Sequence, residues 1–144
     1  MLQNIAIGSA LVALTVLIHT CGLIMIAAAT PPVAGWFGFH NHAVGRTLVM
    51  TGTVLGLLGI MTVEVWVWGL AYQLLGVTQQ LADGLFLSTA MFATIGYGEL
   101  PVNPSWLLLT ALEGINGFLL IGWSTAYLVG AGTRHGPFRT GVHF

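Results

Sequence analysis

Apolar residues run almost without a break from Ile5 to Ala29. A helix needs ~20 such residues to cross a hydrocarbon core, so the pattern predicts a first transmembrane helix within residues 1–30. Pro31 and Pro32 lack the N–H groups that would continue it, and the helix is expected to end there. Residues 31–46 hold Trp36, Phe37, Phe39, His40 and His42 and read as a connector on the membrane surface, with Trp36 as an interfacial anchor; a binding site is the other reading. Apolar residues resume from Thr47 to Gly76, where Gly52, Gly56 and Gly59 offer places for close helix approach. A third long run, Ser105 to Ala131, follows the turn between Pro101 and Pro104 and starts with Trp106 near the interface.

Between the second and third runs lies a shorter apolar stretch, Asp83 to Ala93. As a helix it would reach only ~16 Å, about half a bilayer. Asp83 is expected to cap its N-terminus. Non-helical backbone at membrane depth is tolerated only where protein buries it or water lines it. The stretch therefore reads as a re-entrant helix, and the fold class as an all-α membrane protein with three transmembrane helices.

Composition narrows the function. The chain is 56% hydrophobic and 5% charged, with a mean hydropathy of +0.92, against roughly a quarter charged in a soluble domain. Its partner is membrane lipid. The net charge of −1 offers nucleic acid no basic face. Cys21 is the single cysteine, so no intramolecular disulfide forms. No metal-binding cluster, nucleophile–base pair or phosphate loop stands out, and an enzyme is not expected.

Directly after the short stretch comes Thr94-Ile95-Gly96-Tyr97-Gly98. Removing water from a monovalent cation takes many oxygen ligands at once, and stacked rings of backbone carbonyls supply them. For successive carbonyls to point the same way, alternate residues must leave the right-handed backbone regions. Glycine does so without a Cβ clash, which suits Gly96 and Gly98. Thr94 adds a hydroxyl below the ladder, and Tyr97 can brace the loop from behind.

This run resembles the potassium-channel signature Thr-Val-Gly-Tyr-Gly, in which carbonyl oxygens replace the hydration shell; Ile95 stands for a Val of like shape. The resemblance covers Thr47 to Ala131: outer helix 47–76, pore helix 83–93, filter 94–98 and inner helix 105–131. It implies a homotetramer with the filter on the four-fold axis and K+ bound at Thr94, Ile95, Gly96 and Tyr97. K+ is the permeant ion, and no cofactor is implied. Gly117 would be a hinge in the inner helix or a site of tight packing, and Ile121 and Thr125 would line a water-filled cavity. Glu99 stands where the family usually has Asp. Phe86 is what remains of the aromatic brace, and Ala93 replaces a frequent Thr. The function implied is passive, potassium-selective conduction. A non-conducting scaffold or accessory subunit, and a weakly selective cation channel, are the alternatives; the glycines argue against the first and Tyr97 against the second.

If the filter loop enters from outside, the third span ends in the cytoplasm and the first begins outside. Arg46, Arg134 and Arg139 then all lie on the cytoplasmic side, as the positive-inside rule requires, and Asp83 and Glu99 lie outside. The expected location is the cell membrane, with the N-terminus outside and residues 132–144 a short cytoplasmic tail.

Ionisable groups at membrane depth are functional candidates. His19 and Glu64 fall at similar depth and could pair to dock the first helix. Glu113 and Asn116 share a helix face. Glu113 falls near filter depth, where it could lie behind the pore helix, protonated or bonded to Ser88 or Thr89, as filter support. Ser88 and Thr89 could instead bond to the filter or to their own helix. No span carries the repeated Arg of a voltage sensor, and no ligand-binding domain is expected after the pore. His40, His42, His135 and His143 would be cytoplasmic, where they titrate near neutrality.

Overall fold

A computed structural model of the chain describes residues 1–36, 43–96 and 102–134. Four α-helices follow in order: α1 Leu2–Trp36, α2 Ala43–Leu74, α3 Leu81–Phe92 and α4 Leu107–Arg134. Among the described residues there is no strand. Among the described residues three segments are long and apolar enough to cross a membrane: Leu2–Thr30, Val44–Leu74 and Pro104–Arg134. The helix α3, with 12 residues, is not.

Several boundaries differ from the sequence reading; α4, expected to end at Ala131, runs to Arg134 and takes in the start of the expected tail. The helix α1 does not stop at Pro31 but runs on to Trp36. Two prolines remove two donors and leave the Ala27 and Ala28 carbonyls without their helical partners, a local loss that membrane helices tolerate. The helix α2 starts at Ala43 and takes in Arg46, which the connector was expected to hold. At α3 the cap is Gln80, which makes no side-chain cap bond, and Asp83 lies inside the first turn. Leu81 and Ala82 are strong helix formers that draw the start forward. The carboxylate of Asp83 still favours the positive end of the helix dipole.

The chain divides into two compact units. One comprises Met1–His19 and Met61–Ile121. Its core is Trp68, Tyr72, Val77, Leu87 and Leu109, with Ile7, Leu11, Met91 and Trp106 packed on it. Trp68 and Tyr72 lie one turn apart on α2 with ring centroids 6.1 Å apart. Glycines seat α3 against its neighbours at both ends. A Cβ on Gly84 would come within 2.7 Å of the Gly69 carbonyl oxygen, and one on Gly69 within 3.1 Å of the Leu85 backbone. At the other end Gly117 of α4 lies against the backbone of Phe92.

Along α1 in this unit, three polar residues are buried while several apolar ones face outward. Asn4, Thr15 and His19 are buried, while Ile5, Leu14 and Leu17 are exposed. The buried positions recur at helical spacing, so polar groups form one stripe facing protein. Each finds a partner: Asn4 Nδ2 donates to the Ser105 carbonyl at 2.7 Å, Asn116 Nδ2 of α4 donates to Thr15 Oγ1 at 2.9 Å, and His19 meets Glu64 of α2. With hydrocarbon as the alternative environment, such bonds favour helix association.

The second unit comprises Thr20–Ile60 and Gly122–Phe144. Here Gly22 of α1 lies against the Ile60 side chain, and Gly56 of α2 against Ile26. A Cβ on Gly52, Gly59, Gly122 or Gly130 would meet nothing within 4 Å, so Gly56 alone of the Gly52, Gly56 and Gly59 set makes a close helix contact in one chain.

Candidate functional site

The site is built on the C-terminal end of α3. There the backbone turns over in a fixed hydrogen-bond pattern. The Thr94 N–H donates to the Met91 carbonyl at 2.9 Å, and the Ile95 N–H to the Ala90 carbonyl at 2.9 Å. This pair of bonds is the Schellman motif, which demands a left-handed residue just after the cap. Thr94 takes that place with φ 59°. The helix α2 ends in the same way: Gly76 N–H to Gln73 and Val77 N–H to Tyr72, with Gly76 at φ 70°. Glycine is the ordinary occupant; a β-branched residue there is a true outlier.

Gly96, two residues on, is also left-handed at φ 65°, and its N–H returns to the Ala90 carbonyl at 3.3 Å. Thus Thr94, Ile95 and Gly96 turn all three N–H groups back onto α3. Among the described residues no backbone hydrogen bond is accepted by their carbonyls. Residues 93–96 are exposed in the single chain. Tyr97, Gly98 and Glu99 lie outside the described residues.

Behind α3 sits a buried polar cluster. Glu113 of α4 accepts a hydrogen bond at Oε2 from the Tyr72 hydroxyl of α2. Its Oε1 lies 2.5 Å from Ser88 Oγ of α3, and that same Oγ lies 2.9 Å from the Val65 carbonyl of α2. Tyr72, Ser88 and Glu113 are all fully buried. One carboxyl therefore ties α4 to both α2 and α3. Thr89 is not part of this: its hydroxyl donates to the Leu85 carbonyl of its own helix at 2.7 Å. Phe86 is half exposed, on a face of α3 turned away from the cluster.

Other residues named from the sequence separate. His19 Nδ1 and Glu64 Oε1 lie 2.9 Å apart, both fully buried. Asn116 faces α1 through Thr15, so Glu113 and Asn116, three apart on α4, serve different neighbours. Gly117 provides room for Phe92, and α4 is unbroken through it. Ile121 is half-buried and Thr125 exposed. Among the described residues no group of three or more His, Cys, Asp or Glu could hold a metal ion. The partners missed from the sequence are Tyr72 and the Val65 carbonyl. Tyr72 stands in an aromatic-rich run with Trp66 and Trp68; its hydroxyl, needing a partner once buried, was the available signal.

Long apolar helices with polar groups sealed between them define an integral membrane protein. Residues 60–134, just over half of the chain, match a family described as ion channel. The chain belongs to that ion-channel family. The match takes in α3, Thr94–Gly96 and α4, and leaves α1 outside. No curated protein and no solved structure matches the chain.

Proposed function

We propose that the chain is one of four identical subunits of a potassium-selective channel, with Thr94–Gly98 as its filter. The observation that carries this reading is the backbone of Thr94–Gly96. Left-handed residues alternate at Thr94 and Gly96, their N–H groups are satisfied on α3, and among the described residues no backbone N–H takes their carbonyls. Carbonyls held in this way can replace the hydration shell of a cation. A Gly at position 94 would remove a left-handed cost of roughly 1–2 kcal/mol, so a Thr there is explained by its side chain, as the innermost ion ligand. Ile95, Gly96 and Tyr97 supply the further carbonyl rings.

In this reading α2 is the outer helix, α3 a re-entrant pore helix and α4 the inner helix. The 12 residues of α3 reach about 18 Å, too short to span ~30 Å of hydrocarbon. Each chain supplies one filter loop, so a closed ring of four copies encloses the pore, as symmetric assembly allows. Phe86, Ile95, Ile115, Phe118 and Leu119 are left exposed on a single chain, which supports their being covered by neighbouring subunits or lipid. Gly117, Ile121 and Thr125 lie on the helix that would line the cavity. The arginine placement supports an N-terminus outside and a C-terminus in the cytoplasm of the cell membrane.

The test is ion flux into liposomes carrying the purified protein, K+ against Na+. Selective K+ flux from a tetramer is expected. Equal fluxes of the two ions, or a monomer, would refute the reading.

A further inference from the structure

Three oxygen–oxygen contacts meet around Glu113: Tyr72 hydroxyl to Oε2, Oε1 to Ser88 Oγ at 2.5 Å, and Ser88 Oγ to the Val65 carbonyl at 2.9 Å. Each is favourable only with a hydrogen between its oxygens. The Val65 carbonyl has none to give. A tyrosine and a serine hydroxyl carry one each. Two protons cannot fill three contacts, so the third belongs to the carboxyl. We infer that Glu113 is held in this network as a neutral carboxylic acid, a positioning residue for the filter that α3 carries. The assignment of protons is then unique: Oε1–H donates to Ser88, Ser88 donates to the Val65 carbonyl, and Tyr72 donates to Oε2.

The surroundings agree with a neutral group. Residues 1–19 and 61–121, which form this unit, contain no Lys or Arg side chain. An ionised carboxylate buried here would have no cation to offset its desolvation. From α2 the titratable group in contact is Tyr72; from α3 the contact is the Ser88 hydroxyl; Glu64 of α2 is engaged with His19 of α1. The consequence concerns the filter. Of the contacts that seat α3, the glycine contacts fix its two ends and the carboxyl grips its middle turn, from which the Schellman turn and Thr94–Gly96 follow. That consequence rests on the potassium-channel reading; the proton assignment does not.

The experiment has two arms. Infrared spectra of the purified protein in lipid near neutral pH should show a protonated-carboxyl C=O band that Glu113→Gln removes and Ser88→Ala shifts. Loss of an ionised-carboxylate band in Glu113→Gln instead would overturn the assignment. In the flux arm, Glu113→Gln keeps an N–H for Ser88 and a C=O for Tyr72, and K+ flux should stay near wild type. Glu113→Asp is too short to reach both, and Ser88→Ala breaks the chain of donors; each should lose flux by about tenfold, as expected when buried polar groups lose partners. Better rescue by Asp than by Gln would also overturn the proposal. A protein that shows the band but conducts no K+ keeps the proton and removes the channel reading.

Discussion

Gly117 of α4 lies so close to the backbone of Phe92 that a Cβ on it would collide with the Phe92 carbonyl and Cα. This contact brings the end of α3, and the loop it launches, directly against α4. The prediction concerns Gly117→Ala. If the glycine served only to soften α4, alanine would stabilise the helix by about 1 kcal/mol. Because the site is filled by backbone, which cannot rotate away, alanine should destabilise by ~1–3 kcal/mol, the usual cost of overpacking. Thermal unfolding of the purified protein in detergent decides the sign.

Thr94 and Gly76 occupy the same position in the same helix-ending motif. Thr94→Gly should therefore leave thermal stability equal or raised by ~1 kcal/mol, because the left-handed cost is relieved. It should nonetheless reduce K+ selectivity in liposome flux, since the hydroxyl is lost. A variant that is less stable and still selective would contradict the role given to this side chain.

On the proposed channel reading, Gly96 should behave in the opposite sense. Gly96 is left-handed and its Cβ position is open, so Gly96→Ala has room for the methyl but not the backbone geometry. Tyr97→Asp would remove the brace that this reading gives to the tyrosine ring. Both should abolish or broaden selectivity between K+ and Na+, while Arg139→Ala leaves permeation unchanged. Reversal potentials under mixed-ion gradients measure this.

The buried pair His19–Glu64 joins α1 to α2. Removing the imidazole leaves the buried Glu64 carboxyl without it, so His19→Leu should cost ~1–3 kcal/mol. Leucine at both sites should cost less than the sum of the single changes. A coupling energy near zero in that double-mutant cycle, read from thermal unfolding, would mean the pair contributes nothing to docking α1.

Long apolar runs and the signature at Thr94–Gly98 were legible in the sequence because they are local patterns. So was the short reach of α3. The seating of α3 was not. Tyr72 and Glu113 are 41 positions apart, and nothing in the run around Tyr72 says which helix its hydroxyl will meet. Ser88 read equally well as bonded to its own helix, as Thr89 is; one position of rotation on α3 separates the two fates. Pro31 and Pro32 read as a stop because the rule is written for water, where helices end more readily than in a membrane setting. Asp83 read as a cap because capping depends on where the helix starts, and Leu81 and Ala82 moved that start.

The buried polar stripe of α1 has a practical corollary. Asn4, Thr15 and His19 spend their chemistry within the chain, while Leu14, Leu17, Ile24 and Met25 present plain hydrocarbon. A saturation library over this segment would show tolerance in a spiral: aliphatic exchanges silent along the outer strip, and nearly any exchange harmful along the inner one. Outer positions that resist aliphatic exchange would instead mark contacts with a neighbouring subunit.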